Sequence, residues 1–231
     1  MIAVIIQARE KSTRFPKKIF KKIIKNENSL SLIIKRLKKS KQVEKTIIAI
    51  PSLTKNFKSM KKRYRHIKLF VGNEKDVLSR YYYAAKKNNI SIIVRITSDC
   101  PLVDWEMLDR MIKDFKKLKV DFYSNCLNRT FPDGYDIEIF SFKALSLAFH
   151  KAKKVFDREH VTSYLKRSKL IKKKNFTNKI NLYFIRLTLD TKKDLFFIKK
   201  IYKFFYPEIF FKFKDVMQLF SQKPHLFHQK W

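Results

Sequence analysis

Three polar segments of this 231-residue chain carry residue types suited to chemistry on phosphate. The first, QAREKSTRFPKK, gathers Arg9, Ser12, Thr13, Arg14, Lys17 and Lys18 within ten residues. Fixed cations, hydroxyls and backbone amides at that density suit a polyphosphate. The segment is not a P-loop, because the glycine spacing is absent; its alternative reading is a solvated basic loop. The second, TSDCPLVD, holds Asp99. A carboxylate facing a phosphate-binding loop is what Mg²⁺ takes from a protein, with phosphate and water completing its shell; the alternative is a turn aspartate. The third, LYFIRLTLD, ends on Asp190, a second carboxylate that could meet the same ion or simply close a turn before the helix after it. Together the three imply a metal-assisted attack on a phosphate, in which the protein contributes mainly positioning and electrostatics.

Such segments need a scaffold that brings them to one edge. Met1–Ile6 is a continuous apolar run, the mark of a strand buried on both faces. Thr46–Pro51, Ile67–Gly72, Ser91–Ile96 and Val120–Ser124 read as further strands. Between them, Leu30–Lys39, Lys55–Tyr64 and Glu74–Lys87 read as helices, and Asp104 is placed to cap a helix running to about Leu118. This alternation predicts an α/β fold, a parallel sheet with helices on both faces and right-handed crossovers. Ligands then bind beyond the carboxyl ends of the strands, where the three polar segments leave. Further on, Gly134–Phe140 alternates like a strand, and helices are expected at Ser141–Lys153 and Asp157–Lys166. Leu182–Leu189 reads as a late strand, with Thr191 and Asp194 opening the next helix. Lys166–Lys179 is expected to be exposed and mobile. Residues 1–206 should form the domain. Residues 207–231 should form a basic aromatic tail, with a helix near Lys214–Phe220, packed on the domain or in a dimer interface.

The formal net charge is +34, from 54 Lys and Arg against 20 Asp and Glu. One reading is nucleic-acid binding through phosphate neutralisation. However, 42 of the cations are lysines spread along the whole chain, and only two glycines occur. An AT-rich coding sequence explains that profile, and no RNA-binding signature is present. The charge should attract anionic ligands and cause weak, salt-sensitive sticking to nucleic acid, without a specific nucleic-acid partner. A 45% hydrophobic content excludes a disordered basic tail. No run of about 18 apolar residues occurs, so membrane insertion is not expected. The N-terminal apolar run is too short, and too soon followed by charge, for a signal peptide. Cys100 and Cys126 lack metal-ligand spacing, and a reducing cytoplasm is the default location.

The ordered motifs resemble the cytidylyltransferases that activate acidic sugars. QAREKSTRFPKK is similar to their opening Q-A-R-x-G-S-T-R-L-P-G-K. VGNEKDVLSRYYYAA, VRITSDCPLVD, YSNCLNRTFPDGYDIEIF, REHVT and LTLD follow in the family's order. The ensemble looks most like the branch named spore-coat polysaccharide biosynthesis protein F, and it runs from Met1 to about Tyr206. The resemblance implies a Rossmann-like nucleotide-diphosphosugar transferase fold, a mostly parallel mixed sheet flanked by helices. It implies transfer of CMP from CTP to an acidic sugar, with release of pyrophosphate, for surface polysaccharide or glycan biosynthesis. On this basis Gln7, Ala8, Arg9, Ser12, Thr13, Arg14, Lys18 and Arg80 would bind the nucleotide. Arg9, Lys18 and Asp99 would be catalytic, and Asp99 and Asp190 would hold Mg²⁺. Asp133, Asp136, Glu138 and His160 would reach the acceptor sugar. Relatives often dimerise, which leaves a homodimer open. Three positions depart from the pattern: Lys11, Lys17 and Ser98 stand where glycine is expected. Glycine lets backbone approach phosphate closely and adopt positive φ. A lysine that filled the triphosphate site would leave a nucleotide-binding protein without turnover.

Overall fold

The computed structural model describes residues 1–227. Along the chain, β1 (Ile2–Gln7) leads through a polar loop to a small antiparallel pair, β2 (Lys22–Ile24) and β3 (Glu27–Asn28). Then come α1 (Ser29–Leu37), β4 (Lys45–Ile50), α2 (Lys55–Arg63), β5 (Lys68–Val71), α3 (Val77–Lys87), β6 (Ile92–Thr97) and α4 (Trp105–Lys117). The second half contains β7 (Phe122–Ser124), β8 (Glu138–Ser141), α5 (Phe142–Lys151), α6 (Val155–His160), α7 (Ser163–Arg167) and β9 (Lys173–Asn175). It closes with α8 (Lys192–Phe205) and α9 (Phe213–Gln222).

Seven strands form one mixed sheet in the order β5-β4-β1-β6-β8-β7-β9, and only β8 runs against its neighbours. Central β1 is buried on both faces, as its unbroken apolar run requires. Its residues alternate between two cores. Ala3 and Ile5 join Leu78 and Tyr81 of α3 and Leu145 and Ala148 of α5. Val4 and Ile6 join Leu30 and Ile33 of α1 and Leu108 and Ile112 of α4. Side-chain caps fix the helix starts: Asn28, Asp76, Asp104 and Thr191 each accept from backbone N–H groups in the first turn. Among the described residues no helix is long and apolar enough to cross a membrane.

Four expectations need correction. Leu182–Leu189 is not a strand. It does bury alternate residues, with Ile185, Leu187 and Leu189 inside and Phe184 exposed. Its backbone, however, makes only one isolated bridge, Asp133 to Arg186; alternation recorded a half-buried segment, not a ladder. Gly134–Phe140 is strand only from Glu138, although Tyr135, Ile137 and Ile139 are all buried. The helix expected at 157–166 is two short helices broken at Val161, whose φ is 55°. Lys166–Lys179 contains the edge strand β9, whose lysines suit an unpaired sheet margin. The two-stranded β2–β3 pair carried no sequence signal.

Candidate active site

A cleft opens where β1 and β6 end. The two strands pair with Gln7 opposite Thr97, and the order of the parallel strands reverses between them. In open sheets that switch point is where ligands bind. The loop after β1 folds back on itself, with the Lys17 N–H donating to the Glu10 carbonyl at 2.9 Å. Buried Phe15 and Ile19 anchor it from below. Lys17 adopts φ 54°, the left-handed conformation for which the family motif uses glycine. A lysine there costs about 1 kcal/mol of backbone strain, and its side chain is exposed. Lys11 is exposed as well, with its ammonium 3.6 Å from Glu74. Neither lysine lines the cleft, which is walled by Gln7, Ala8, Arg9, Ser12, Thr13, Arg14 and Lys18.

On the floor, Lys18 joins the two carboxylates. Its Nζ donates to Asp99 Oδ2 at 3.0 Å and to Asp190 Oδ1 at 2.7 Å. The two acidic oxygens therefore lie within the span of two hydrogen bonds. Asp190 also accepts from Arg186 Nη2 at 2.6 Å and pairs with Arg14 Nη2 at 3.1 Å. Burial favours the neutral forms, but the ion pairs prevail. Lys18 is held above its ordinary pKa by Asp99 and Asp190, and Asp190 below its own by Lys18, Arg186 and Arg14. The Leu189 N–H donates to the Asp99 carbonyl at 2.8 Å, fixing the two aspartate segments side by side. Two hard carboxylate oxygens converging on one cation form a donor set that fits Mg²⁺. Among the described residues no group of three or more His, Cys, Asp or Glu is placed to hold an ion. A metal here would need phosphate or water for the rest of its shell.

The opposite wall comes from α3 and α6. Arg80 lines the cleft, yet it is only 3% exposed, and its Nε and Nη1 have no hydrogen-bond partner among the described residues. Burial and the neighbouring Arg9 charge lower its pKa. The side chain passes over Gly72: a Cβ at that position would lie 2.6 Å from Arg80 Cγ. Thus one of the chain's two glycines is kept where the arginine needs the space. Glu159 and His160 complete this wall. The α6 segment that carries them is tied to the start of α3 by an ion pair between Arg158 and Asp76.

The four expected acceptor residues separate. His160 reaches the cleft. Asp133 does not line it: its carboxylate accepts from Arg186 Nη1 at 3.1 Å, and that same arginine holds Asp190 of the cleft. Burial and Asp136 raise the Asp133 pKa. Asp136 is one step further out, held by both terminal nitrogens of Arg129 at 2.9 and 2.8 Å. Glu138 is a correction: it is buried, 1% exposed, and its carboxylate is taken up by partners inside the fold. Its carboxylate pairs with Arg95, accepts from Thr162 Oγ1 at 3.1 Å and lies 2.7 Å from Lys166 Nζ. In GYDIEIF it occupies a core position, where a carboxylate needs cationic partners. Gly134, with φ 115°, allows the Asp133 segment to touch the Leu187 backbone, where a Cβ would approach within 2.6 Å. Sequence reasoning missed Arg186, Arg129 and Arg95. Arg95 and Arg186 had a visible signal, each a charge inside an apolar run, SIIVRI and LYFIRLTL; Arg129 had none.

An open α/β sheet with cations and two aspartates at its switch point defines a nucleotide-handling class. The cytidylyltransferase family model matches residues 3–223, and the chain belongs to that family. A cytidylyltransferase from Leptospira borgpetersenii superposes with a TM-score of 0.92 at 31% identity, covering 100% of this chain and 98% of the other. An uncharacterised protein of Methanocaldococcus jannaschii is 34% identical over 87% of this chain and 83% of its own length. The spore coat polysaccharide biosynthesis protein SpsF of Bacillus subtilis is 29% identical over 87% and 86%.

Proposed function

We propose that this cytidylyltransferase uses Mg²⁺ to transfer CMP from CTP to a hydroxyl of an acidic sugar, releasing pyrophosphate. The observation that carries the reading is the Lys18–Asp99–Asp190 cluster at the sheet's switch point, beneath a loop bearing Arg9 and Arg14. Arg9, Arg14 and Lys18 would grip the triphosphate, aided by the Ser12 and Thr13 hydroxyls and the loop amides. Asp99 and Asp190 would hold the ion, which supplies charge neutralisation at the phosphate oxygens. Arg80, on the other wall, would meet the nucleotide with its guanidinium, whose Nε and Nη1 have no partner among the described residues. His160, on the cleft wall, and Asp133, linked to Asp190 through Arg186, would reach the acceptor. The cleft's cations Arg9, Arg14, Lys18 and Arg80 outnumber Asp99, Glu159 and Asp190, which suits the anionic nucleotide; the acidic acceptor rests on the family resemblance. The name of the Bacillus relative points to surface polysaccharide synthesis.

The test is incubation with CTP, Mg²⁺ and a panel of sugar acids. Pyrophosphate release with one of them is expected. No release with any sugar, together with no CTP binding by calorimetry, overturns the reading. Asp99→Asn should reduce turnover by about a thousandfold, because it removes a metal-binding charge at little change in volume. Its melting temperature should stay near that of the parent.

A further inference from the structure

Lys18 occupies the place where the two carboxylates converge. Its ammonium is within 3.0 Å of Asp99 and 2.7 Å of Asp190. The Lys18 side chain is 13% exposed, so it is packed and not waving in solvent. Asp190's other oxygen is engaged by Arg14 and Arg186. A divalent ion needs carboxylate oxygens at about 2.1 Å. It cannot share that point with an ammonium already hydrogen-bonded to both acids. The two cations also repel each other strongly at such a distance in a half-buried site.

We infer that Lys18 is a placeholder that keeps divalent metal off Asp99 and Asp190 until a triphosphate draws its ammonium away. This inference rests on the metal-dependent reading above. A polyphosphate offers Lys18 and Arg14 new anionic partners and at the same time brings oxygens to complete a metal shell. Metal binding is then conditional on nucleotide. Lys18 exchanges the two acids for phosphate when a nucleotide binds.

The test is a titration of nucleotide-free protein with Mn²⁺, following the free-ion signal by electron paramagnetic resonance. Wild type should bind weakly, and Lys18→Met should gain one site at least about tenfold tighter. Lys18→Gln should behave the same way and serves if the methionine variant does not fold. The gained site should vanish in Lys18→Met/Asp99→Asn. Equal Mn²⁺ affinity in wild type and both folded variants overturns the placeholder role. So does a gained site that survives loss of Asp99. A separate titration of wild type with CTP and Mn²⁺ isolates the underlying reading. If CTP and Mn²⁺ together do not bind, the functional reading fails; if they bind but the variants gain nothing, the placeholder alone fails.

Discussion

Arg36 and Arg80 sit on helices flanking opposite faces of one sheet, and both are almost fully buried. Their environments differ completely. Arg36 donates to the carbonyls of Val103, Ile209, Leu102 and Phe211 at 2.7, 2.8, 3.4 and 2.6 Å, between the rings of Trp105 and Phe211. Through these bonds it ties the C-terminal segment to the domain. The Phe213 N–H, donating to Asp104 at 2.6 Å, reinforces the tie. Arg80 has the same chemistry and the same burial, but two of its nitrogens face no acceptor. A buried cation is costly unless hydrogen bonds replace its water. One arginine recovers that cost within the fold; the other does not recover it at Nε and Nη1.

The largest effect should come from removing the satisfied arginine. Arg36→Met strands up to four buried carbonyls and should cost about 3–5 kcal/mol, read as a lower denaturant midpoint. A loss below about 1 kcal/mol would mean that the tail holds without it. Arg80→Met should instead leave stability unchanged or raised, because a poorly compensated charge is removed. Its dissociation constant for CTP should rise by about tenfold to a hundredfold; unchanged affinity in calorimetry would place Arg80 outside the ligand contacts. The contrast sharpens at Gly72. Gly72→Ala should cost about 1–3 kcal/mol by overpacking. Most of that should return in an Arg80→Ala background, since the clash is with Arg80 Cγ. Strictly additive costs would show that the strain arises elsewhere.

The smallest effect near neutral pH is linked to protons. Despite burial, which acts the other way, Glu138 is held below its ordinary pKa by Arg95 and Lys166, and Asp190 by Lys18, Arg186 and Arg14. A carboxylate with a depressed folded pKa contributes stability that is complete above its unfolded value, near 4. That contribution disappears as pH falls through the folded value. The contribution of these two acids should therefore be flat near neutrality and fall below about pH 4. The carbonyl bonds of Arg36 do not titrate. Glu138→Gln should flatten the acid limb of a stability–pH profile, and an unaltered limb would assign it to other acids.

The wall of the cleft formed by the loop after β1 was largely legible. Arg9, Ser12, Thr13, Arg14 and Lys18 line it as their dense spacing after a buried strand suggested, and Asp99 and Asp190 meet at Lys18. Local order suffices there, because the loop follows directly from β1 and the aspartates from the ends of neighbouring segments. The placement of the residues expected to reach an acceptor was not legible. Asp133, Asp136 and Glu138 fall within six residues, yet one is bound to Arg186, one is clamped by Arg129 and one is sealed in the core. Their partners come from distant parts of the chain: Arg186, Arg129, Arg95 and Lys166.

Sequence alone determined the layered α/β scaffold, its strand and helix alternation and the edge where chemistry belongs, because apolar periodicity reports which face of an element is buried. It also marked the glycine departures, but not their placement: Lys17 takes the left-handed turn and, like Lys11, does not line the cleft. Tertiary structure decided which cation meets which carboxylate. That choice depends on side chains several ångströms long, converging from elements far apart in sequence. It makes Glu138 a strut, leaves Arg80 unsatisfied and puts Lys18 between two acids.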